Sequence, residues 1–341
     1  MEIVPPEGTI ELPRGIADTD GVVGFVSAVD GLDRLDLRTG RQIWGTSGAR
    51  YPLALWRSRL IALRTLPGPP AGLQLVTLDV DQPDTPLLSS DTIPVPERTL
   101  TRPNSYIDVS IDREDLILRW SATQTYEGGA PPTPEIEARA SHAARGCARV
   151  SLSTGRVDLE PGEPLIRQPS TEFVESIAGD WYTEAWLAGE DRVRLVLSQR
   201  EGHQQLSLHF EGASGETSPA RVVLAEGTAL VSVVTLDRRH VLVRDEAGRP
   251  ALSADVFSIP KRAKVGAITW EPGTADLVVI NDRVLYLVRH VERAATAHSL
   301  GAAAIVLKAR DLQGDQVLWE HSLAREQTGP RRVRPKQDAE Q

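Results

Sequence analysis

The stretch "LDRLDLRTGRQIW", residues 32–44, decides the fold. It alternates apolar and polar residues, reaches Thr39–Gly40, and continues to Trp44. Alternation with a period of two is typical of a β-strand with one buried face. Glycine tolerates the positive φ that a tight turn requires. The stretch therefore predicts two antiparallel strands joined by a short hairpin.

The same layout recurs along the chain. A strand-like run rich in leucine and β-branched residues follows a polar turn at six places: 20–28, 57–65, 112–120, 190–198, 236–244 and 281–289. Each has one apolar run before it and two strand-like runs after it, which makes six units of four strands. The last three units start about 45 residues apart, the period of four-stranded propeller blades. The sequence predicts an all-β propeller of about six blades, with seven as the alternative.

Longer spacings in the first half indicate insertions at 91–105, 123–145 and 161–178, with two helical turns inside the second, over 135–146. The propeller is expected to span 1–327, and 328–341 to be a disordered basic tail. The run "TIEL" (9–12) is expected to pair with the last unit and close the ring. Two β-sandwiches would also fit the strand number, but sandwich strands do not recur at a fixed period.

The opening stretch resembles the repeat of the quinoprotein-type (PQQ-like) β-propellers, in which Asp, Thr-Gly and Trp follow at fixed spacing; Asp36 begins the match. We interpret the matching residues as structural: Thr39, Gly40, Trp44, Thr154, Gly155, Trp270, Gly314 and Trp319. The resemblance also implies a vicinal cysteine pair, a catalytic Asp and calcium ligands in quinone-dependent enzymes. Cys147 is the single cysteine, and no residue takes over the catalytic set.

Composition narrows the function classes. A net charge of −9 disfavours a nucleic-acid-binding protein, which needs a concentrated basic face. One cysteine excludes an intrachain disulfide and fits a reducing compartment. The N-terminal residues contain neither a basic nor an apolar signal region, and no apolar run is long enough to cross a membrane. The sequence predicts a cytoplasmic protein without membrane insertion.

No catalytic, cofactor-binding or metal-binding residue is predicted, because nucleophile-elbow, phosphate-loop and HExxH spacings are absent. His203 and His209 could share one face of a strand, but no third metal ligand is evident. Arginines recur in the polar turns at positions 59, 113, 192, 238 and 283. They are interpreted as turn residues, with an anion-binding or partner-binding ring as the alternative.

Aromatic residues indicate where a partner could bind. Tyr126 lies in the 123–145 insertion, and strict alternation in "WYTEAW" would place Trp181 on one face and Tyr182 with Trp186 on the other. Exposed Tyr and Trp suit protein recognition. The predicted function is a non-catalytic scaffold that binds another protein. The alternative is a hydrolase, lyase or quinone-dependent dehydrogenase with its active site at the central channel.

Overall fold

The computed structural model describes residues 2–4, 6, 9–66, 72–95, 105–122, 145–160, 180–188, 191–211, 220–246, 253–269, 271, 274–291 and 301–328. Within these ranges every regular element is a β-strand, and the strands form six sheets numbered here in chain order. The prediction of an all-β chain is confirmed. None of the described elements is a helix of the length and hydrophobicity needed to cross a membrane.

The first three sheets follow the predicted units closely. Sheet 1 contains β2 (Ile10–Leu12), β3 (Gly15–Ala17), β4 (Val23–Ala28), β5 (Gly31–Asp36) and β6 (Gln42–Thr46). Sheet 2 contains β7 (Tyr51–Trp56), β8 (Arg59–Leu66), β9 (Gly72–Asp79) and β10 (Leu88–Ile93). Sheet 3 contains β1 (Glu2–Val4), β11 (Ser105–Asp112), β12 (Asp115–Ala122), β13 (Arg145–Ser151) and β14 (Val157–Glu160).

The last three sheets have four strands each. Sheet 4 contains β15 (Asp180–Ala188), β16 (Asp191–Arg200), β17 (His203–Glu211) and β18 (Ala220–Gly227). Sheet 5 contains β19 (Leu230–Val234), β20 (His240–Asp245), β21 (Ser253–Ser258) and β22 (Ala263–Thr269). Sheet 6 contains β23 (Thr274–Ile280), β24 (Arg283–Val291), β25 (Gly301–Asp311) and β26 (Val317–Thr328).

The N-terminal pairing differs from the prediction. The "TIEL" run forms β2, but β2 pairs with β3 of its own sheet rather than with the last unit. The strand β3 was missed because its three residues, Gly15–Ala17, are too few to show a period. A second unexpected strand, β1, pairs in parallel with β11 of sheet 3. The predicted helix lies mostly outside the described residues, and its last two positions, Arg145 and Gly146, begin β13.

Apolar side chains bury the faces between neighbouring sheets. Successive side chains of a strand point to opposite faces of its sheet, so a sheet with a neighbour on each side has two faces to bury. The described residues form a continuous hydrophobic cluster at five boundaries: sheets 1 and 2, 2 and 3, 4 and 5, 5 and 6, and 6 and 1. Four-stranded meanders stacked face to face in chain order are the arrangement of a β-propeller. The last sheet of the chain packs on sheet 1 in this stack.

The turn in the opening stretch is built by the last residue of β5. The Asp36 carboxylate accepts a hydrogen bond from the Arg38 amide at 2.8 Å, and Gly40 adopts a φ of 68°. Burial opposes ionisation of Asp36, but hydrogen bonds from Arg38 outweigh it and lower its pKa. The Leu37 amide donates to the Val22 carbonyl at 2.8 Å. The turn is thereby fixed to the first hairpin of its own sheet.

Equivalent bonds recur in three other sheets. The apolar residue after the third strand donates its amide to a carbonyl in the turn between the first two strands: Leu152 to Glu114, Ile259 to Arg239 and Leu312 to Asp282. A polar residue at the end of the third strand again binds the following turn, as Asp311 does for Gly314. The repeat is therefore a backbone device that holds the two turns of one sheet together.

The outer strand of one sheet is fastened to this turn in the next sheet. Trp44 Nε1 donates to the Val80 carbonyl of sheet 2 at 2.8 Å. Trp319 Nε1 of sheet 6 donates to the Leu37 carbonyl of sheet 1 at 3.0 Å. A Cβ on Gly40 would lie 2.5 Å from the Trp319 ring, so this glycine gives both the turn and the room for the indole. The same bond type therefore joins both ends of the chain.

Other sheet pairs use different atoms for the same connection. The Asp91 amide of sheet 2 donates to the Gly155 carbonyl of sheet 3 at 2.9 Å, beside Thr154. The Thr269 amide of sheet 5 donates to Asp315 of sheet 6 at 2.7 Å. In the pairing of the last two strands of sheet 5, Gly266 occupies the position that Trp44 has in sheet 1. Trp270 lies outside the described residues. Loss of the tryptophan in these units therefore leaves the connection in place.

We expect Trp319→Phe to lower the free energy of unfolding by about 1–3 kcal/mol, because the aromatic ring stays while the buried Leu37 carbonyl loses its donor. Urea unfolding measures the change. Val317→Thr, on the exposed side of the same strand, is the control and should change stability by no more than about 0.5 kcal/mol. Equal effects of the two variants would contradict the fastening role of Trp319.

Candidate functional site

Sheets 3 and 4 each have one polar face, on the side away from their apolar neighbour. In sheet 3 the side chains of Leu116, Leu118 and Trp120 pack towards sheet 2, so the alternate residues occupy the opposite face. In sheet 4 Val193 and Leu195 pack towards sheet 5, which leaves Arg194 on the other face. No hydrophobic cluster joins sheets 3 and 4 within the described residues. We call these two surfaces the acidic face of sheet 3 and the basic face of sheet 4.

The acidic face of sheet 3 carries more carboxylates than cations. Its guanidinium groups are Arg119, Arg145 and Arg149, and its carboxylates are Asp108, Asp112, Asp115, Asp158 and Glu160. Arg149 lies 3.2 Å from Glu160, 3.3 Å from Asp115 and 3.4 Å from Asp112. Hydrogen bonds to Glu160, Asp115 and Asp112 raise the pKa of Arg149. This arginine holds three carboxylates from three strands or turns together.

The single cysteine lies on this face and is a poor nucleophile. Cys147 is buried, and its Sγ is 3.9 Å from a Glu160 oxygen. Burial and the negative charge of Glu160 raise the pKa of the thiol. Because the thiolate is the reactive form, a raised pKa indicates a structural cysteine rather than a catalytic one.

The basic face of sheet 4 contains a cavity of about 290 Å³. The cavity is lined by polar residues of β16, β17 and β18: Ser198, His203, Gln204, Gln205, His209, Arg221 and Glu226. The two histidines therefore do share one surface, as their even spacing allowed. Within the described residues, no group of three or more His, Cys, Asp or Glu side chains is placed to bind a metal ion.

Ladder register arranges this face in rows. Ser198, Gln205 and Glu226 lie opposite one another at the end where the cavity opens. The Gln205 amide donates to Glu226 and accepts from the Arg221 guanidinium. Gln205 therefore holds the carboxylate and the guanidinium apart while binding both.

Another row lies four positions further along β16 and β17. His209 is directly opposite Arg194 on one side and Arg221 on the other. Its Nε2 is 3.0 Å from the hydroxyl oxygen of Ser207, which is fully buried. This row brings two guanidinium groups and an imidazole to neighbouring strands.

Three long connections leave sheet 3 at one end. The ladder places Ser105 opposite Ala122, Ser121 opposite Arg145, and Cys147 opposite Glu160. The segments 96–104, 123–144 and 161–179 therefore all start or finish at this end, which we call the insertion end. The last segment leads to Asp180, which pairs with Ser198 at the rim of the cavity. One of the predicted insertions therefore leads from the insertion end of sheet 3 to the strand that borders the cavity of sheet 4.

The predicted partner-binding residues fall in different places. Tyr126 lies outside the described residues. A register shift between Tyr182 and Glu184 breaks the strict alternation expected for "WYTEAW". Trp181 and Trp186 both pair with residues of the apolar face, Leu197 and Val193, whereas Tyr182 pairs with Val196 on the basic face. The side chains of this strand lie outside the described part of the chain, so the assignment of Tyr126, Trp181, Tyr182 and Trp186 to a partner stays a prediction.

The recurring arginines occupy turns or strand starts. Arg113 and Arg238 adopt positive φ angles of 59° and 55°, and Arg59 and Arg283 are the first residues of β8 and β24. Arg192 is the second residue of β16. A positive φ in a short hairpin accounts for the polar residues there.

A buried charge cluster between sheets 5 and 6 was not found from the sequence. Glu271 accepts hydrogen bonds from Tyr286 at 2.7 Å and Lys308 at 2.9 Å, and Arg310 lies 3.2 Å away. Burial raises the pKa of Tyr286 to about 12. Perturbed groups often mark active sites. Here each charge is neutralised by a neighbour, which supports a structural role. Only the alternation of Lys308 and Arg310 in an apolar strand hinted at it.

Comparison with known proteins gives no family assignment. No family model matches the chain, and no curated protein matches it. Solved structures give weak similarities. Kluyveromyces lactis Hsv2 is 9% identical with a TM-score of 0.32, and the match covers 91% of this chain and 97% of that chain. The dehydrogenase NirN is 12% identical with a TM-score of 0.30, and the match covers 94% of this chain and 66% of that chain. The β-propeller domain of the Pyrococcus furiosus Trilobed protease is 8% identical with a TM-score of 0.29, and the match covers 64% of this chain and 57% of that chain. The chain thus spans about two thirds or less of the last two. At these scores we draw nothing from the matches.

The Glu271 cluster predicts an acid-dependent stability. Burial opposes ionisation of Glu271, but hydrogen bonds from Lys308 and Tyr286 outweigh it, so its folded-state pKa lies below the ordinary value of a glutamate. The stabilisation is therefore complete above the unfolded-state pKa and is lost as the pH falls through the folded-state pKa. Glu271→Gln should lower the free energy of unfolding by about 3 kcal/mol at neutral pH. It should also make that free energy depend less on pH in the acid range.

Urea unfolding across the acid range measures both effects. Asp255→Asn, which removes an exposed ion pair with Lys264, serves as the control and should cost less than about 1 kcal/mol. A Glu271→Gln protein with the acid dependence of the wild type would show that this cluster does not set it.

Proposed function

We propose that this chain is a six-bladed, PQQ-like β-propeller that acts as a non-catalytic platform for another protein, which docks at the insertion end of sheets 3 and 4. One observation carries the proposal: three long connections start or finish at the same end of sheet 3, and the last of them leads to Asp180, which pairs with Ser198 at the cavity of sheet 4. Long loops that converge on a rigid scaffold are the usual location of binding sites. The cytoplasmic location stays a prediction.

Charge complementarity supports a closed ring. Five boundaries are apolar, and sheet 6 is fastened to sheet 1, so the acidic face of sheet 3 and the basic face of sheet 4 are the two surfaces left. A face with more carboxylates and a face with more cations attract each other. We infer that these faces meet and form a sixth, polar boundary. A docked partner would contact both sides of that boundary.

The N-terminal strands favour binding over chemistry at the channel. In a propeller the first strand of each blade lies nearest the central channel. The strand β2 adds to the edge of sheet 1 beside β23, and β1 adds to the first strand of sheet 3. The N-terminal segment thus runs along the edges that would line a channel active site. This arrangement gives the enzyme alternative no specific support.

Tyrosines are the proposed contact residues at the insertion end. Tyr126 belongs to the 123–144 connection, and Tyr182 holds a register position on the basic face of sheet 4. Interfaces concentrate their binding energy in a few Tyr, Trp and Arg residues. Trp181 and Trp186 hold register positions of the apolar face, so we assign them to packing rather than to the partner.

Replacing 123–144 with a Gly-Ser linker of equal length should abolish co-purification of the partner that the wild-type protein retains. Tyr126→Ala should weaken it by about 2 kcal/mol or more if this tyrosine is a main contact. Quantitative mass spectrometry of proteins bound to the tagged chain in its native host measures the loss.

Leu87→Ser is the matched control, because Leu87 is an exposed apolar residue in the turn at the opposite end of sheet 2. It should retain the same partner at the wild-type level. Retention of every partner by the linker variant, or equal loss with Leu87→Ser, would contradict docking at the insertion end.

A further inference from the structure

The outermost strand of sheet 3, β14, has a more regular edge than its counterparts. In the five other sheets the pairing of the last two strands contains a register shift, as between Arg34 and Leu35 in sheet 1. Such irregularities bend and twist an edge strand, which keeps other chains from pairing with it. Among the described outermost strands only β14 (Val157–Glu160) pairs with its neighbour in one unbroken register.

The backbone of β14 offers hydrogen-bonding groups on its outer side. The Ser151 amide donates to the Arg156 carbonyl at 3.0 Å, so these two residues form a hydrogen-bonded pair. Hydrogen-bonded and non-hydrogen-bonded pairs alternate along an antiparallel ladder. The pair of Ala148 with Leu159 is therefore non-hydrogen-bonded, and the N–H and C=O groups of Leu159 point away from β13. No described strand pairs with β14 on that side.

The side chains of β14 decide which kind of strand fits this edge. Leu159 is 57% exposed, the largest value among the large apolar side chains described. Asp158 and Glu160 flank it on the acidic face, and both are about half exposed. A second copy of β14 would place these carboxylates beside their own kind or against Leu159, and both arrangements are unfavourable. The edge therefore favours a strand that is apolar on one face and basic on the other.

We propose that β14 accepts one added β-strand from the docked partner, an extended segment in which basic and apolar residues alternate. The inference rests on the proposed function, since Glu160 is the point where β14 reaches the insertion end. The outward N–H and C=O groups of Leu159 supply main-chain hydrogen bonds, and alternate side chains supply specificity. An apolar residue opposite Leu159 and a Lys or Arg opposite Asp158 match the two faces.

A synthetic peptide tests this edge on the full chain. The probe is fluorescently labelled Lys-Val-Lys-Val-Lys-Val-Lys, and its control carries N-methyl groups on the valine amides, which keep every charge but remove backbone donors. We expect saturable binding by fluorescence anisotropy, about tenfold or more weaker for the methylated peptide. Amide hydrogen exchange at Leu159 should slow when the unmethylated peptide is added.

Two substitutions separate backbone from side chain. Leu159→Pro removes the outward N–H without breaking a bond to β13, a position at which edge strands tolerate proline, and should weaken binding about tenfold or more. Leu159→Thr keeps the N–H and should weaken binding less. Leu318→Thr is the matched control, because Leu318 is an exposed leucine on the outermost strand of sheet 6, where the register is shifted. It should bind the peptide like the wild type.

Equal binding of the two peptides, or equal affinity of Leu159→Pro and the wild type, would overturn the proposal. Slow exchange at Leu159 before peptide is added would also overturn it, because the edge would then be covered by this chain or by a second copy. A partner that is lost from the 123–144 linker variant but retained by Leu159→Pro would contradict strand addition and leave docking at the insertion end intact. The reverse result would contradict docking there and leave strand addition intact.

Discussion

The hydrogen bond from the outer strand of one sheet to the hairpin turn of the next is the constraint on which the architecture depends. A four-stranded meander has two faces and an outer edge to satisfy, and stacking alone leaves the turns unfixed. Trp44 and Trp319 meet this need through indole donors, and Asp91 and Thr269 meet it through backbone amides. Because Trp319 acts on a carbonyl in sheet 1, the last sheet of the chain is held as firmly as its internal neighbours.

The boundary proposed between sheets 3 and 4 would be held by charged side chains rather than by apolar contacts. Salt does not screen the apolar contacts at five boundaries, whereas attraction between partly exposed charges weakens as ionic strength rises. The proposed boundary between sheets 3 and 4 would be held by Arg149, Arg194 and Arg221 and the carboxylates that face them. A polar boundary is easier to open or to hydrate than an apolar one. It is therefore a suitable place for a partner to bind.

Much of the fold could be predicted from the sequence, because a two-residue period and polar turns are local signals. They indicated six strand-rich units, which correspond to six sheets, and the hairpin at Thr39–Gly40; two of the sheets have a fifth strand that was not predicted. What failed depends on contacts far apart in the chain. The pairing of β1 with β11 and the bulge after Tyr182 have no local signature. The same holds for the Glu271 cluster, in which a residue of the connection before sheet 6 meets two strands of that sheet.

The candidate site was less predictable than the fold for the same reason. The even spacing of His203 and His209 hinted at a shared surface, and the alternation "RVRLVLS" of 192–198 contains the polar face of β16. Neither pattern reveals that Arg194, His209 and Arg221 form a row, since that depends on the register of three strands. The tightly spaced Asp-Arg turns, in contrast, proved to be backbone features with positive φ.

The distance between sheets 3 and 4 tests the proposed polar boundary most directly. Spin labels at Leu159 of β14 and at Thr228 in the turn after β18, both exposed, in a Cys147→Ser background would report it by pulsed electron resonance. Labels at Leu159 and Leu87 report the apolar boundary between sheets 3 and 2. We predict one narrow distance for each pair at low salt, with only the first pair lengthening or broadening as salt is added. A broad distribution for the first pair at low salt, or the same salt response in both pairs, would contradict a ring closed by charge.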